Sequence, residues 1–380
     1  MSAPTPLAEP VERIPGDPLE DAPEAGTALC LSGGGYRAML FHLGALWRLN
    51  EGGFLPRLDR VSSVSGGSIA AGVLGHRWSK LDFQDSVARS FVAQVVAPIR
   101  ALAGETIDLT SIGKGILLPG SAADYVAGAY REHLFGEATL QDLPERPRFV
   151  VNASNVQTGA LWRFSRPYMG DWRVGLVREP VLSLALAIAA SSAFPPVLSP
   201  LRLELPRGVV ERVPGADLHD EPYTTKVVLS DGGVYDNLGL ETAWKRYRTI
   251  LVSDGGGRLK PQPEPAGDWA RHSVRVLQLF DQQVRNLRTR QLLGSYRSGA
   301  RNGAYWSIRT PLGDYGLFDC LDCPPGATAE LAAVDTRLAR LAPGMQERLI
   351  NWGYAVCDTA LRRHVNPALP KGSFPYAGGV

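Results

Sequence analysis

Three short stretches of this chain set reactive side chains among glycines at the ends of apolar runs. The stretch "RVSSVSGGSIAAGVLG", starting at Arg60, places Ser65 where a β-branched run gives way to an Ala-rich one. A serine on a tight strand-to-helix turn is the arrangement of a hydrolase nucleophile, usually written Gly-x-Ser-x-Gly. Here the first glycine is replaced by Ser63, itself small. Ser62, Ser63 and Ser68 compete, but Ser65 alone has a small residue on each side at the required spacing. The structural alternative is a serine that merely caps the helix. The stretch "LSGGGYRAM" puts Gly33, Gly34 and Gly35 between a strand and a helix, with Arg37 two residues on. Consecutive glycines free the backbone to turn its N–H groups toward an anion, and the helix end adds partial positive charge. A phosphate or the oxyanion of acyl transfer fits such a loop.

The stretch "LSDGGVYDNLG" supplies a carboxylate, Asp231, at a strand end, where it can take a proton from a serine hydroxyl. Asp-Gly is also a common turn, and "LVSDGGG" offers Asp254 in nearly the same setting. Periodicity alone does not separate the two. A Ser-His-Asp triad needs a histidine in reach. His42 falls within the helix after the glycine loop, and His76 lies about three turns beyond Ser65. His133, His219, His272 and His364 follow no suitable turn. A Ser–Asp pair without histidine is the economical proposal. A nucleotide site is the rival use of the glycine loop, giving a regulatory module instead of an enzyme. The loop matches neither G-x-x-x-x-G-K-[ST] nor G-x-G-x-x-G.

These residues need a scaffold. "ALCL" and "RVSSV" read as short strands, each followed by a helix. "RFVVNASNV" and "ALWRFSR" read as a strand pair turning at Gly159, "LSLALAIAASS" as a helix ended by Pro195 and Pro196, and "KVVLSDGG" and "TILVSDGGG" as further strands. "FQDSVARSFVAQVVAPIRAL" and "SAADYVAGAYREHL" read as helices. The alternation implies an α/β layered domain with a mainly parallel sheet, whose functional groups sit past the carboxyl ends of its strands. Residues 1–25, rich in Pro and acids, read as a mobile tail. Residues 26–365 read as one catalytic domain, with a motif-bearing core over 27–260 and a mostly helical extension over 268–365. That extension includes helices in "WARHSVRVLQLFDQQVRNLRTRQLLGSYRSG", "ELAAVDTRLARL" and "MQERLINWGYAVCDTALRRH". Residues 366–380 read as an irregular tail.

The 380 residues are 44% hydrophobic and 21% charged, which suits a globular core. A net charge of +2 argues against nucleic acid as a partner. No apolar run reaches the roughly 18 residues of a spanning helix, and no secretory signal is visible. The four cysteines are too scattered for a disulfide framework, so a cytoplasmic setting is the expectation. Cys320 and Cys323 form a C-x-x-C pair without the second ligand pair of a zinc site.

Taken together, "SGGGYRAM", "SVSGGS" and the later "DGG", with "AIAASSAFPPV" between them, resemble the patatin-like phospholipases. The first motif is also similar to the cytosolic phospholipase A2 catalytic domain. The resemblance covers roughly residues 27–260. It implies a three-layer α/β/α fold with added C-terminal helices and a Ser–Asp dyad needing no metal or cofactor. Ser65 matches the nucleophile, and Gly33, Gly34 and Gly35 match the oxyanion loop. Asp231 matches the base, because an Asn-containing turn at Asn237 follows it and none follows Asp254. Arg37 matches an arginine facing the lipid phosphate. The implied substrate is a phospholipid or other acyl ester, reached by transient contact with a membrane surface. A soluble esterase or thioesterase on the same fold is the alternative.

Overall fold

The computed structural model describes residues 23–107, 122–196 and 198–380. The chain runs through β1 (Glu24–Leu31), α1 (Gly35–Glu51), β2 (Arg60–Ser63), α2 (Gly66–His76), β3 (Phe83–Gln84), β4 (Val87–Ala88), α3 (Ala97–Ala103) and α4 (Ala122–Tyr130). It continues through β5 (Arg148–Asn155), β6 (Ala160–Phe164), β7 (Tyr168–Asp171), β8 (Gly175–Arg178), α5 (Leu184–Ser191), β9 (Leu201–Glu204) and β10 (Lys226–Asp231). Two one-turn helices follow, α6 (Gly233–Asp236) and α7 (Glu241–Trp244), then β11 (Tyr247–Asp254), α8 (Trp269–Arg297), β12 (Asn302–Ser307), α9 (Pro325–Ala333) and α10 (Pro343–His364).

One sheet dominates, in the order β12-β11-β1-β2-β5-β6-β7-β8. Its β12-to-β5 half is parallel, and the β5-to-β8 half is an antiparallel meander. The parallel half is covered on both faces, so the inner half of β1, residues 28–31, is an unbroken apolar run. Leu29 and Leu31 enter the larger core with α1, α2 and α10. Ala28 and Cys30 meet Leu238, Leu240 and Leu292 on the other face. The result is the expected α/β/α sandwich.

The register of β5 decides the site. β2 pairs with its first half in parallel and stops with Ser63 opposite Val151. β10 arrives antiparallel on the second half and ends with Asp231 opposite Ala153. Two strands thus meet nearly head to head on one template. Their ends lie two β5 residues apart, about 7 Å of strand rise.

Several expectations shift. β1 starts at Glu24, inside the stretch read as a tail; residues 1–22 lie outside the described residues. "FQDSVA" is a hairpin rather than a helix, with Asp85 and Ser86 at the two positive-φ positions that a two-residue hairpin requires. The extension over 268–365 is not only helical: β12 extends the parallel sheet beside β11. The helix over "ELAA" stops at Ala333, short of "VDTRLARL". The extension is tied to the core by the buried pair Arg48 Nε–Asp358 Oδ1 (2.7 Å) between α1 and α10, and Arg362 holds the second Asp358 oxygen at 3.0 Å. Residues 366–380 are irregular but anchored, since the Asn351 amide donates to the Tyr376 and Gly379 carbonyls at 2.7 Å each.

Candidate active site

Ser65 sits between β2 and α2 with φ 51° and ψ −122°. A non-glycine residue pays about 1–3 kcal/mol for such a conformation, which persists only where its surroundings enforce it. The N–H of Ser65 donates to Ser191 Oγ at 3.0 Å, and Ser191 also meets Ser68 Oγ at 2.9 Å. Gly66 is forced by the same closeness: a Cβ there would sit 2.2 Å from the Gly35 carbonyl oxygen. Ser65 occupies the N-cap position of α2, yet its hydroxyl makes no capping bond. The helix-cap alternative therefore fails. The competing serines are occupied. Ser62 Oγ bonds the Gly239 carbonyl at 2.6 Å, and Ser68 Oγ donates to Ser63 Oγ at 3.0 Å.

Asp231 is buried beside Ser65. Its Oδ1 accepts the Gly233 N–H at 2.7 Å, while Oδ2 has no hydrogen-bond partner of good geometry. Burial is the main influence on its carboxyl, pushing it up to about 7. The Gly233 N–H and the Ser65 hydroxyl pull it down, and the charge of Asp281 pushes it further up. Asp254 is equally buried but fully partnered. Arg309 Nη2 and Tyr305 Oη contact its Oδ2 at 3.0 and 2.8 Å, the Gly256 N–H its Oδ1 at 2.9 Å, and Arg285 lies 3.9 Å away. Although burial acts to raise its carboxyl, Arg285 and Arg309 outweigh that and hold it below the usual range.

The glycine loop divides. The Gly33 N–H is spent on Asn237, with the backbone carbonyl at 3.0 Å and Oδ1 at 3.1 Å. It is thus withdrawn from the expected oxyanion loop. Asn237 anchors that loop, a task not assigned to it from sequence. Gly34, at φ 144°, turns the chain into α1. The N–H groups of Gly34, Gly35 and Gly66 bond no acceptor among the described residues. Arg37 is also committed: Nε donates to the Gly255 carbonyl at 3.1 Å and Nη1 to that of Val334 at 2.5 Å, leaving buried Nη2 unpartnered. His42 has both ring nitrogens engaged, by Ser253 Oγ and the Ser32 carbonyl, and burial pushes it down to about 4.

Ser65, Asp231 and the glycine loop open into a cavity of about 1460 Å³. Much of its wall comes from the extension, including Leu277, Phe280 and Val284 of α8 and Leu312 and Trp352 beyond it. No local motif marks these residues in the sequence.

A parallel sheet flanked by helices, with a serine at a strained strand–helix turn, defines an α/β hydrolytic architecture. The sequence profile of the family described as patatin-like phospholipase matches residues 29–244, more than half of the chain. The chain belongs to that family, a class of hydrolases acting on lipid esters. No curated protein is a detectable sequence relative. Among solved structures, human GIVD cytosolic phospholipase A2 in complex with methyl gamma-linolenyl fluorophosphonate is similar at 14% identity and a TM-score of 0.52, over 88% of this chain and 57% of that one. A second structure of the human enzyme covers 90% of this chain and 58% of its own at 13% identity (TM-score 0.43). VipD from Legionella pneumophila covers 90% and 67% at 16% identity (TM-score 0.36). The chain thus spans less than two thirds of the length of the phospholipase A2 chains it matches. The first of these likenesses supports the fold.

Proposed function

We propose that the chain is a serine lipid acyl hydrolase of the phospholipase A type, acting through Ser65 and Asp231. The observation that carries the reading is the free Oδ2 of a buried carboxylate beside a hydroxyl held at positive φ. Asp231 takes the Ser65 proton as Oγ attacks the ester carbonyl. The N–H groups of Gly34, Gly35 and Gly66 hold the oxyanion. Asp231 then protonates the leaving alkoxide, giving an acyl-enzyme. Water, giving its proton to Asp231, attacks the acyl carbon. Collapse returns the proton to Ser65 and releases the fatty acid. Arg37 holds the loop at Gly255 against the segment at Val334, and so shapes the cavity instead of gripping a phosphate.

The size and apolar wall of the cavity favour a long acyl chain over the small esters of a soluble esterase, since ordinary small-molecule pockets span roughly 300–1,000 Å³. The test compares hydrolysis of mixed phospholipid vesicles with that of short-chain p-nitrophenyl esters. Fatty acid release from vesicles, lost in Ser65→Ala, is expected. Turnover of short esters alone would favour the esterase, and nucleotide binding without ester hydrolysis would favour the regulatory module.

A further inference from the structure

The long helix α8 leaves a run of apolar side chains exposed at the cavity and beyond it. Leu277, Phe280, Val284 and Leu287 recur every three or four residues, so they share one face. That face is exposed: Phe280 is 62% and Leu287 58% accessible, and Trp269 at the start of the helix is 84% accessible. The residues that α8 buries, Arg285, Leu292 and Ser295, all lie in its C-terminal half. Nothing among the described residues covers the outer face. Leu277, Phe280 and Val284 also line the cavity that holds Ser65. The exposed stripe therefore runs from the cavity wall to Leu287 and Trp269 outside it.

Around the same cavity stand Arg258, Lys260, Arg275 and Arg337, all away from the buried Asp254 cluster. Asp335 accompanies them, 3.5 Å from Lys260, and Asp281 of α8 and the site's own Asp231 also line the cavity, leaving the basic residues in excess. An apolar stripe with a cationic rim matches a surface that is apolar below and anionic above. We infer that the outer face of α8 is the surface by which this protein docks on an anionic lipid membrane, with Trp269, Phe280 and Leu287 inserted and the cationic rim against phosphates. An amphipathic helix of this kind lies in the interface plane. Docked so, the cavity opens into the acyl region, and a lipid chain reaches Ser65 without crossing water. A protein cover would instead close the mouth. The inference rests on the lipid-hydrolase reading above, and its test separates the two.

The experiment measures sedimentation of the 380-residue Ser65→Ala chain with vesicles of non-hydrolysable ether phosphatidylcholine, with or without ether phosphatidylglycerol. Binding is expected only with the anionic lipid, and to weaken as salt rises. Adding Trp269→Glu and Leu287→Glu, both outside the cavity wall, is expected to weaken binding on the order of a hundredfold. In the Ser65 background the same pair is expected to leave soluble-ester hydrolysis unchanged. Equal binding to neutral vesicles, or full binding by the double variant, would overturn the inference. So would a dimer that the double variant splits, since the stripe would then belong to a second copy. Vesicle binding by a wild-type chain that hydrolyses no ester would sustain docking and sink the hydrolase reading alone.

Discussion

The two Asp-Gly-Gly turns differ in everything except their local structure. Asp231 and Asp254 each end a buried apolar strand, and each accepts the N–H of the second residue onward through Oδ1. Around Asp254 the fold gathers Arg285, Arg309 and Tyr305, and its carboxylate is held ionised and saturated. Around Asp231 it gathers a serine hydroxyl, apolar walls and the like charge of Asp281, leaving one oxygen free. The same four-residue motif thus makes a structural anion in one place and a candidate base in the other. Partners from distant chain segments decide which.

The largest effect should come from exchanging charge for amide at the two turns. Asp231→Asn is expected to lower kcat for a soluble ester on the order of a thousandfold or more, with the fold retained. Asp254→Asn leaves the buried Arg285 and the half-buried Arg309 without their carboxylate. It is expected to cost about 3–5 kcal/mol of stability in denaturant unfolding, while folded molecules keep most of their activity. A fall in specific activity only at Asp254→Asn would invert the comparison.

Titration sharpens it further. Asp231 must be ionised to act as base, so kcat/KM is expected to rise with pH through an apparent pKa near 7. Its raised folded-state pKa also means that ionising it costs stability as pH climbs from the unfolded carboxylate range, about 3.9, toward 7. Asp231→Asn should accordingly unfold at higher temperature than wild type at pH 8. Asp254, held low, has the opposite sign. Its contribution is complete above the ordinary carboxylate pKa and is lost as pH falls through its depressed value. A melting-temperature series from pH 3 to 8 on both variants reads the two signs.

The glycine loop and the Ser65 elbow were legible in the sequence because their geometry is local: the residues that bend the chain sit in the bend. The choice between Asp231 and Asp254 was open on residue pattern, because Arg285, Tyr305 and Arg309 lie 31 or more residues beyond Asp254 in the chain. Resemblance pointed to Asp231 through Asn237, which the structure places against Gly33. β12 escaped notice because "NGAYWS" is short, follows a 29-residue helix and becomes a strand only by pairing with β11. The role expected for Arg37 came from the resemblance to cytosolic phospholipase A2, which carries no information on this chain's own contacts. Its two backbone acceptors, at Gly255 and Val334, belong to tertiary structure.

Arg37 yields the smallest of the expected effects. Lysine cannot bridge both carbonyls, so Arg37→Lys should slow phospholipid and uncharged-ester turnover by the same factor, about tenfold or less. A selective loss on phospholipid would restore phosphate contact as its task.

The most direct measurement is covalent labelling with a fluorophosphonate, mapped by mass spectrometry in wild type and in both aspartate variants. The account predicts one label per chain, on Ser65, with labelling rate collapsed in Asp231→Asn and retained in folded Asp254→Asn. A label on Ser62, Ser63 or Ser68, or a rate that depends on Asp254 and ignores Asp231, would contradict it.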